Sequence, residues 1–417
     1  MINASGGLRR GNGIKPQLEH GVYIPPSFND EKEWQALMLQ CVRSGASDIY
    51  LNTGKPLTAD IWGRMHTLTV PGRRISQGEA SEILRWMMAD GVITRVSSGD
   101  PQPSSYSITD PDQTNKTFDG SQVRYRFRVN ASRVRYRSDL GLQVVIRILQ
   151  SEPPRLVFEE DLADFGYVPG QVYVPRDMFE GMLSPNGLSL ISGPTGSGKT
   201  TTFAGMLRAL GEWEDSPIRG NYCIGESPTE FVFDSVMSSH SDYAQQEIGS
   251  DVGSFADFVR DLMRRHPALG VIGEIRDTET CDAAMQLALT GHPVWATVHT
   301  NDVPSIIPRL LTQYTPDARP AAMADLIGTS RMLINQTLEK TLDGRRTVLR
   351  SYLKITPKIQ QNLALSTSDI DLKRRITKFM FSDGVSKTAA AQKAFERGLI
   401  DAETLNRVAA REEAEYE

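Results

Sequence analysis

Gly193-Pro194-Thr195-Gly196-Ser197-Gly198-Lys199-Thr200 matches G-x-x-x-x-G-K-[ST], and no other stretch narrows the possible folds of this chain so far. Glycines let successive backbone N–H groups turn into one concavity, which binds an anion. Lys199 adds a cation long enough to reach the β- and γ-phosphates of a nucleotide, and Thr200 adds a hydroxyl suited to Mg²⁺. The helix that opens there, with Thr201 in its first turn, points its positive dipole end at the same place. The flanks agree. Gly187 to Ile191 is a short apolar run that reads as a buried strand, and Thr201 to Leu210 carries apolar residues at helical spacing. Strand, glycine loop and helix is the order such a loop requires. The expected fold class is α/β, with a P-loop core that binds a nucleotide with Mg²⁺.

A chain of 417 residues, 39% of them hydrophobic, is too long for one usual domain and suggests two or three. Its net charge of −5 gives no global nucleic-acid footprint. Cys41, Cys223 and Cys281 are scattered, with neither metal-ligand spacing nor a disulfide framework, which fits a reducing cytoplasm. Met1 to Gly21 has no apolar core of a signal peptide, and no run is long enough to span a bilayer. Any membrane role is therefore expected to be peripheral and through partners.

Along the chain, residues 1–29 read as a flexible tail and 30–155 as a small α+β domain. Helices are expected over Glu31–Val42 and Gly78–Asp90, with strands at Ser47–Asn52 and at Thr58–His66, the latter turning at Gly63. Ser97 to Gln122, rich in Ser, Pro, Asp and Thr, reads as a loop. Arg124–Asn130 and Gly141–Leu149 read as strands. A linker is expected over 156–178, centred on Asp161–Pro175, then a strand–helix alternation over 179–310. Its elements are a strand at Asn221–Ile224, an amphipathic helix within Ser254–His266, a strand at Gly270–Gly273, a helix at Glu279–Leu289 and a strand at Pro293–Val298. Beyond Val303 the strands are expected to stop. Pro320–Leu342 and Ser368–Phe381 read as helical, Val385–Ala410 as two more helices, and 311–417 as a helical part.

Nucleotide hydrolysis also needs an acidic group for metal and water, and a source of charge stabilisation. Glu274, in Gly273-Glu-Ile-Arg-Asp277 at the end of an apolar run, stands where an α/β sheet presents groups to ligand. Glu226 and Glu230 bracket a proline-containing turn after another strand, either as solvated loop carboxylates or with one serving as general base. His292 and His299 bracket the strand at Pro293–Val298; γ-phosphate sensing and a structural strand-end role are both open for them. Arg124, Arg126, Arg128, Arg133, Arg135 and Arg137 are dense for an acidic chain. They read as a solvated edge that discourages strand pairing, as a nucleic-acid contact, or as arginines donated to a nucleotide.

Taken together, these motifs resemble the secretion ATPase superfamily of pilus motors and type II and type IV secretion ATPases. Gly193–Thr202 matches its Walker A, Glu226–Phe231 its Asp box, Gly273–Asp277 its Walker B and Thr290–Asn301 its His box. Ser47–Arg64 resembles its amino-terminal PAS-like domain, and Ile334–Pro357 its carboxy-terminal helical part. The Glu-Ser-Pro form of the Asp box, Ala59–Arg64 and the long insert place the pattern nearest the ATPases of type IVB secretion and conjugative plasmids. The resemblance implies a RecA-like domain with carboxy-terminal helices after a PAS-like domain. It also implies a homohexamer, cytoplasmic and held at the inner membrane by secretion or conjugation machinery, with only an indirect role toward transferred DNA or protein. Glu230 would be the catalytic base, Glu274 and Thr200 would serve the metal, and Lys199 and His299 would complete the chemistry. Arg128, Arg133 and Arg147 would reach the nucleotide. Pilus retraction or assembly is the alternative function, and a DNA-translocating ATPase a further one.

Overall fold

The structure is a computed structural model that describes residues 28, 30–61, 64–69, 72–88, 91–112, 122–136, 139–149, 152–161 and 170–416. Thus Gly63, Arg137 and the expected amino-terminal tail apart from Phe28 lie outside the described residues; Phe28 is buried, edge-on to Trp34 with ring centroids 5.1 Å apart. The chain divides into two compact units, Met1–Ser151 and Glu152–Glu417.

The first unit runs α1 (Glu31–Arg43), β1 (Ala46–Asn52), β2 (Thr58–Ile61), β3 (Arg64–Thr67), α2 (Gln77–Met87), α3 (Val92–Ser97), β4 (Gln102–Thr109), β5 (Arg124–Tyr136) and β6 (Asp139–Leu149). Its sheet has the order β3-β2-β1-β6-β5-β4, with antiparallel neighbours throughout. This is the PAS-like α+β domain. Asp30 caps α1 by accepting from the Glu33 N–H at 2.9 Å, and Trp34, Leu37, Met38 and Cys41 form its buried face. In β5 the period of two is plain: Phe127, Val129 and Ala131 are buried, while Arg124 and Arg128 are exposed.

The loop expected over Ser97–Gln122 is corrected by β4, which pairs residue for residue with β5 from Gln102↔Ala131 to Thr109↔Arg124. Its composition hid it because it is an edge strand. Among its described side chains only Ile108 is buried, and an edge tolerates proline. Partner register, rather than intrinsic propensity, makes this strand.

In the second unit β7 (Arg155–Phe158), a one-turn 3₁₀ helix Glu159–Asp161, β8 (Gln171–Val174) and α4 (Arg176–Met182) come first. The described part of the expected linker is therefore structured: β7 and β8 pair in parallel. Four-residue strands are too short to show a period. Then follow β9 (Gly187–Ser192), α5 (Lys199–Glu212), β10 (Gly220–Glu226), β11 (Ser241–Glu247), α6 (Phe255–Leu262), β12 (Pro267–Ile272), α7 (Thr278–Leu289), β13 (Pro293–Val298), α8 (Ile306–Leu311), α9 (Arg319–Thr329), β14 (Ser330–Lys340), β15 (Arg346–Lys354), α10 (Pro357–Leu363), α11 (Asp369–Asp383), α12 (Lys387–Glu396) and α13 (Ala402–Tyr416).

The main sheet has the order β11-β10-β12-β13-β9-β14-β15. It is parallel from β11 to β14, with β15 antiparallel at the edge. Both faces are covered, so β9 and β13 are buried along their whole length. Leu188 and Leu190 pack with Phe258 and Leu287 on one side; Ile191 packs with Phe203 and Trp295 on the other. This is the RecA-like layer arrangement. The expectation that strands stop beyond Val303 is overturned by β14 and β15. The expected helix Pro320–Leu342 ends at Thr329, and Ser330–Lys340 enters the sheet beside β9. Its buried run Met332-Leu333-Ile334 is too short for periodicity to separate helix from strand. No described helix is long and apolar enough to cross a membrane.

Candidate active site

Between β9 and α5 the chain takes left-handed backbone at Gly193 (φ 145°), Gly196 (φ 77°) and Gly198 (φ 83°). At Gly193 a Cβ would stand 2.2 Å from the Gln336 carbonyl oxygen, so this position requires glycine twice over. Lys199 opens α5, with Gly198 as N-cap and no side-chain cap on the first N–H groups. Its Nζ donates to the Gly193 carbonyl at 2.8 Å and to the Pro194 carbonyl at 3.1 Å, across the mouth of the loop. Burial pushes its pKa down, and the negative charges of Glu274 and Glu230 oppose that shift. The fields of both carboxylates thus converge on the P-loop lysine.

Each carboxylate is delivered by a strand end. Glu274 follows β12, where the Gly273 N–H donates to the Gly225 carbonyl at 2.7 Å and the Ile275 N–H donates to the Thr297 carbonyl at 2.9 Å. The Thr297 hydroxyl donates to the Gly273 carbonyl. One Glu274 oxygen lies 3.3 Å from His299 Nε2, and the other accepts from Arg276 Nε at 2.6 Å. Glu230 lies in the loop after β10. Two side chains of β11 pin that loop: Glu247 accepts from the Thr229 N–H at 3.1 Å, and Gln245 accepts from the Phe233 N–H at 3.1 Å. Thr200, Glu226, Gly273 and Thr297 line one small cavity. The Thr200 hydroxyl and Glu274 carboxylate are hard oxygen donors. That donor set fits Mg²⁺, which takes one or two protein oxygens and fills its shell with phosphate and water.

One expected residue stands elsewhere. His292 is at the amino-terminal end of β13, where its carbonyl accepts from the Gly187 N–H at 3.1 Å. It is separated from His299 by the whole strand Pro293–Val298, roughly 20 Å at 3.3 Å per residue, and only His299 joins the P-loop end. Arg128, Arg133 and Arg147 belong to the first unit. Arg128 faces Arg147 across β5 and β6; Arg147 pairs with Asp48 at 2.9 Å, and Arg133 donates to the Ser97 carbonyl at 2.9 Å.

The sequence reading missed the polar support behind the loop. Asn335 Nδ2 donates to Ser192 Oγ at 2.9 Å and to the Thr300 carbonyl at 3.0 Å, tying the end of β9 to the segment after His299. Gln336 Nε2 donates to the Ser197 carbonyl at 2.6 Å. The available signal was Asn-Gln inside an apolar run, since unpartnered amides are seldom buried in strands.

The family described as "Type II/IV secretion system protein" matches residues 31–396. The chain is similar to the ATPase DotB of Legionella pneumophila, at 31% identity and a TM-score of 0.80, over 94% of this chain and 98% of that one. It is 28% identical to the type IV pilus retraction ATPase PilT of Pseudomonas aeruginosa, over 78% of this chain and 83% of that protein. It is 32% identical to the uncharacterized protein YggR of Escherichia coli strain K12, over 52% of this chain and 61% of that protein.

Proposed function

This chain belongs to the type II/IV secretion system protein family as one of its ATPases, and on that premise we propose that it powers type IVB-like secretion or conjugative DNA transfer. In this reading it works as a homohexamer in the cytoplasm, held at the inner membrane by components of the transfer machine. It acts on the transferred DNA or protein only indirectly. The observation that carries the type IVB reading is the likeness to DotB through nearly the whole of both chains.

The chemistry follows from the residues. The loop from Gly193 to Thr201 binds the phosphates through its backbone N–H groups, Pro194 having none to give. Lys199 neutralises charge on the β- and γ-phosphates, and Thr200 with Glu274 would hold Mg²⁺. Glu230 accepts the proton of the attacking water. His299, 3.3 Å from Glu274, reports the state of the γ-phosphate to the segment that follows it. Arg128, Arg133 and Arg147 are proposed as cationic donors to the nucleotide.

Deleting the gene and restoring it as wild type or as Lys199→Ala tests the reading. Lost DNA or protein transfer with pili and twitching intact, restored by wild type alone, is the expected result. Lost pilus retraction with transfer intact would instead select the pilus-motor reading, which the likeness to PilT favours.

A further inference from the structure

We propose that Gln336 and Arg350 are positioning residues for the phosphate loop, acting through the Ser197–Gly198 peptide. This inference rests on the reading of that loop as the ATP site. Gln336 is fully buried on β14. Its Nε2 donates to the Ser197 carbonyl at 2.6 Å. A trans peptide is planar, with its C=O and N–H pointing opposite ways. Holding the Ser197 carbonyl back toward β14 therefore turns the Gly198 N–H away from β14, toward the concavity that takes phosphate. Gly198 lies close against the same amide: a Cβ there would be 3.2 Å from Gln336 Nε2.

The Gln336 amide can face only one way. Its Oε1 accepts from Thr202 Oγ1 at 2.9 Å and from Arg350 Nε at 2.9 Å. A flipped amide would set its NH₂ against the guanidinium N–H, with donor facing donor. Arg350 is itself held. Nη1 donates to the Tyr173 carbonyl at 2.6 Å and faces Glu159 at 3.4 Å, and Nη2 donates to Thr202 Oγ1 at 3.1 Å. A buried charge is retained only when paired and hydrogen-bonded, and every nitrogen of this guanidinium has an acceptor. Arg350 thereby sets Gln336, and Gln336 sets the loop.

The loop amide meets phosphate in both the ground and the transition state, so its loss should raise KM more than it lowers kcat. The test uses the full-length chain, with ADP affinity by titration calorimetry, steady-state ATP hydrolysis and thermal melting. Gln336→Glu keeps shape but sets a carboxylate against the Ser197 carbonyl; Gln336→Met keeps only bulk. Each is expected to raise the ADP Kd and ATP KM by about tenfold, with kcat within about threefold of wild type. Arg350→Lys keeps a charge opposite Glu159 but loses the planar fork. It should weaken ADP binding alone, yet add nothing to Gln336→Met, because it acts through Gln336. Wild-type ADP affinity in both folded Gln336 variants would overturn the proposal. So would a fall in kcat and melting temperature with KM unchanged, which marks a merely structural role. If both Gln336 variants fail to fold, Thr202→Val removes one donor to the Gln336 oxygen and carries the same two outcomes. A wild-type chain that does not bind ADP would instead refute the reading of the loop itself.

Discussion

At Lys199, burial works against the charge while Glu274 and Glu230 work for it. The proposed roles separate them. Glu230→Gln should bind ATP with near wild-type affinity and lose turnover by about 10²–10³-fold, the scale of one catalytic group removed. Equal loss of binding and turnover would make Glu230 a structural residue. The cysteines carry a different expectation. All three are buried; burial pushes the Cys41 thiol up to about 12 and the Cys281 thiol up to about 11, and raises that of Cys223. The reactive thiolate is therefore scarce at pH 8. The native chain should resist iodoacetamide, and all three should label on unfolding; fast native labelling at any of them would contradict the packing.

Among elements, β14 decides the most. It lies beside β9, brings Asn335 and Gln336 behind the loop, and leaves no room at Gly193. Gly193→Ala should displace the loop from β14 and weaken ADP binding by at least about tenfold, since strain of a few kcal/mol at a left-handed position has to be relieved somewhere. Asn335→Leu leaves Ser192 Oγ and the Thr300 carbonyl without their donor. It should cost about 1–3 kcal/mol of stability by urea denaturation; no change would mean these contacts are not made in solution. The β9–loop–α5 unit was legible because the glycine pattern, the apolar run and the helical spacing all agree. β14 was not, because Met332-Leu333-Ile334 suits either period. β4 was not, because an edge strand with a polar face looks like a loop. At the candidate site, Lys199, Thr200, Glu274 and His299 stand out in the sequence through motifs that each sit at a strand end. Gln336, Arg350 and the β11 pair Gln245 and Glu247 were missed because they support the site through burial and hydrogen bonds, which no local pattern encodes.

At the scale of the molecule, the carboxy-terminal helices grip the segment that follows His299. Lys387 Nζ donates to the Asn301 carbonyl at 2.9 Å, and Lys373 faces Asp302 at 3.9 Å. Glu412 on α13 in turn accepts from the Lys387 and Thr388 N–H groups at 2.7 and 2.8 Å, holding the start of α12. A change at His299 thus has a covalent and hydrogen-bonded route into the helices. If this route begins with hydrolysis at the P-loop, phosphate release from the purified chain with ATP and Mg²⁺ reads its first step. Steady release is expected from wild type, and none above background from Lys199→Ala or from ATP-loaded Glu230→Gln. Release by either variant at the wild-type rate would contradict this expectation.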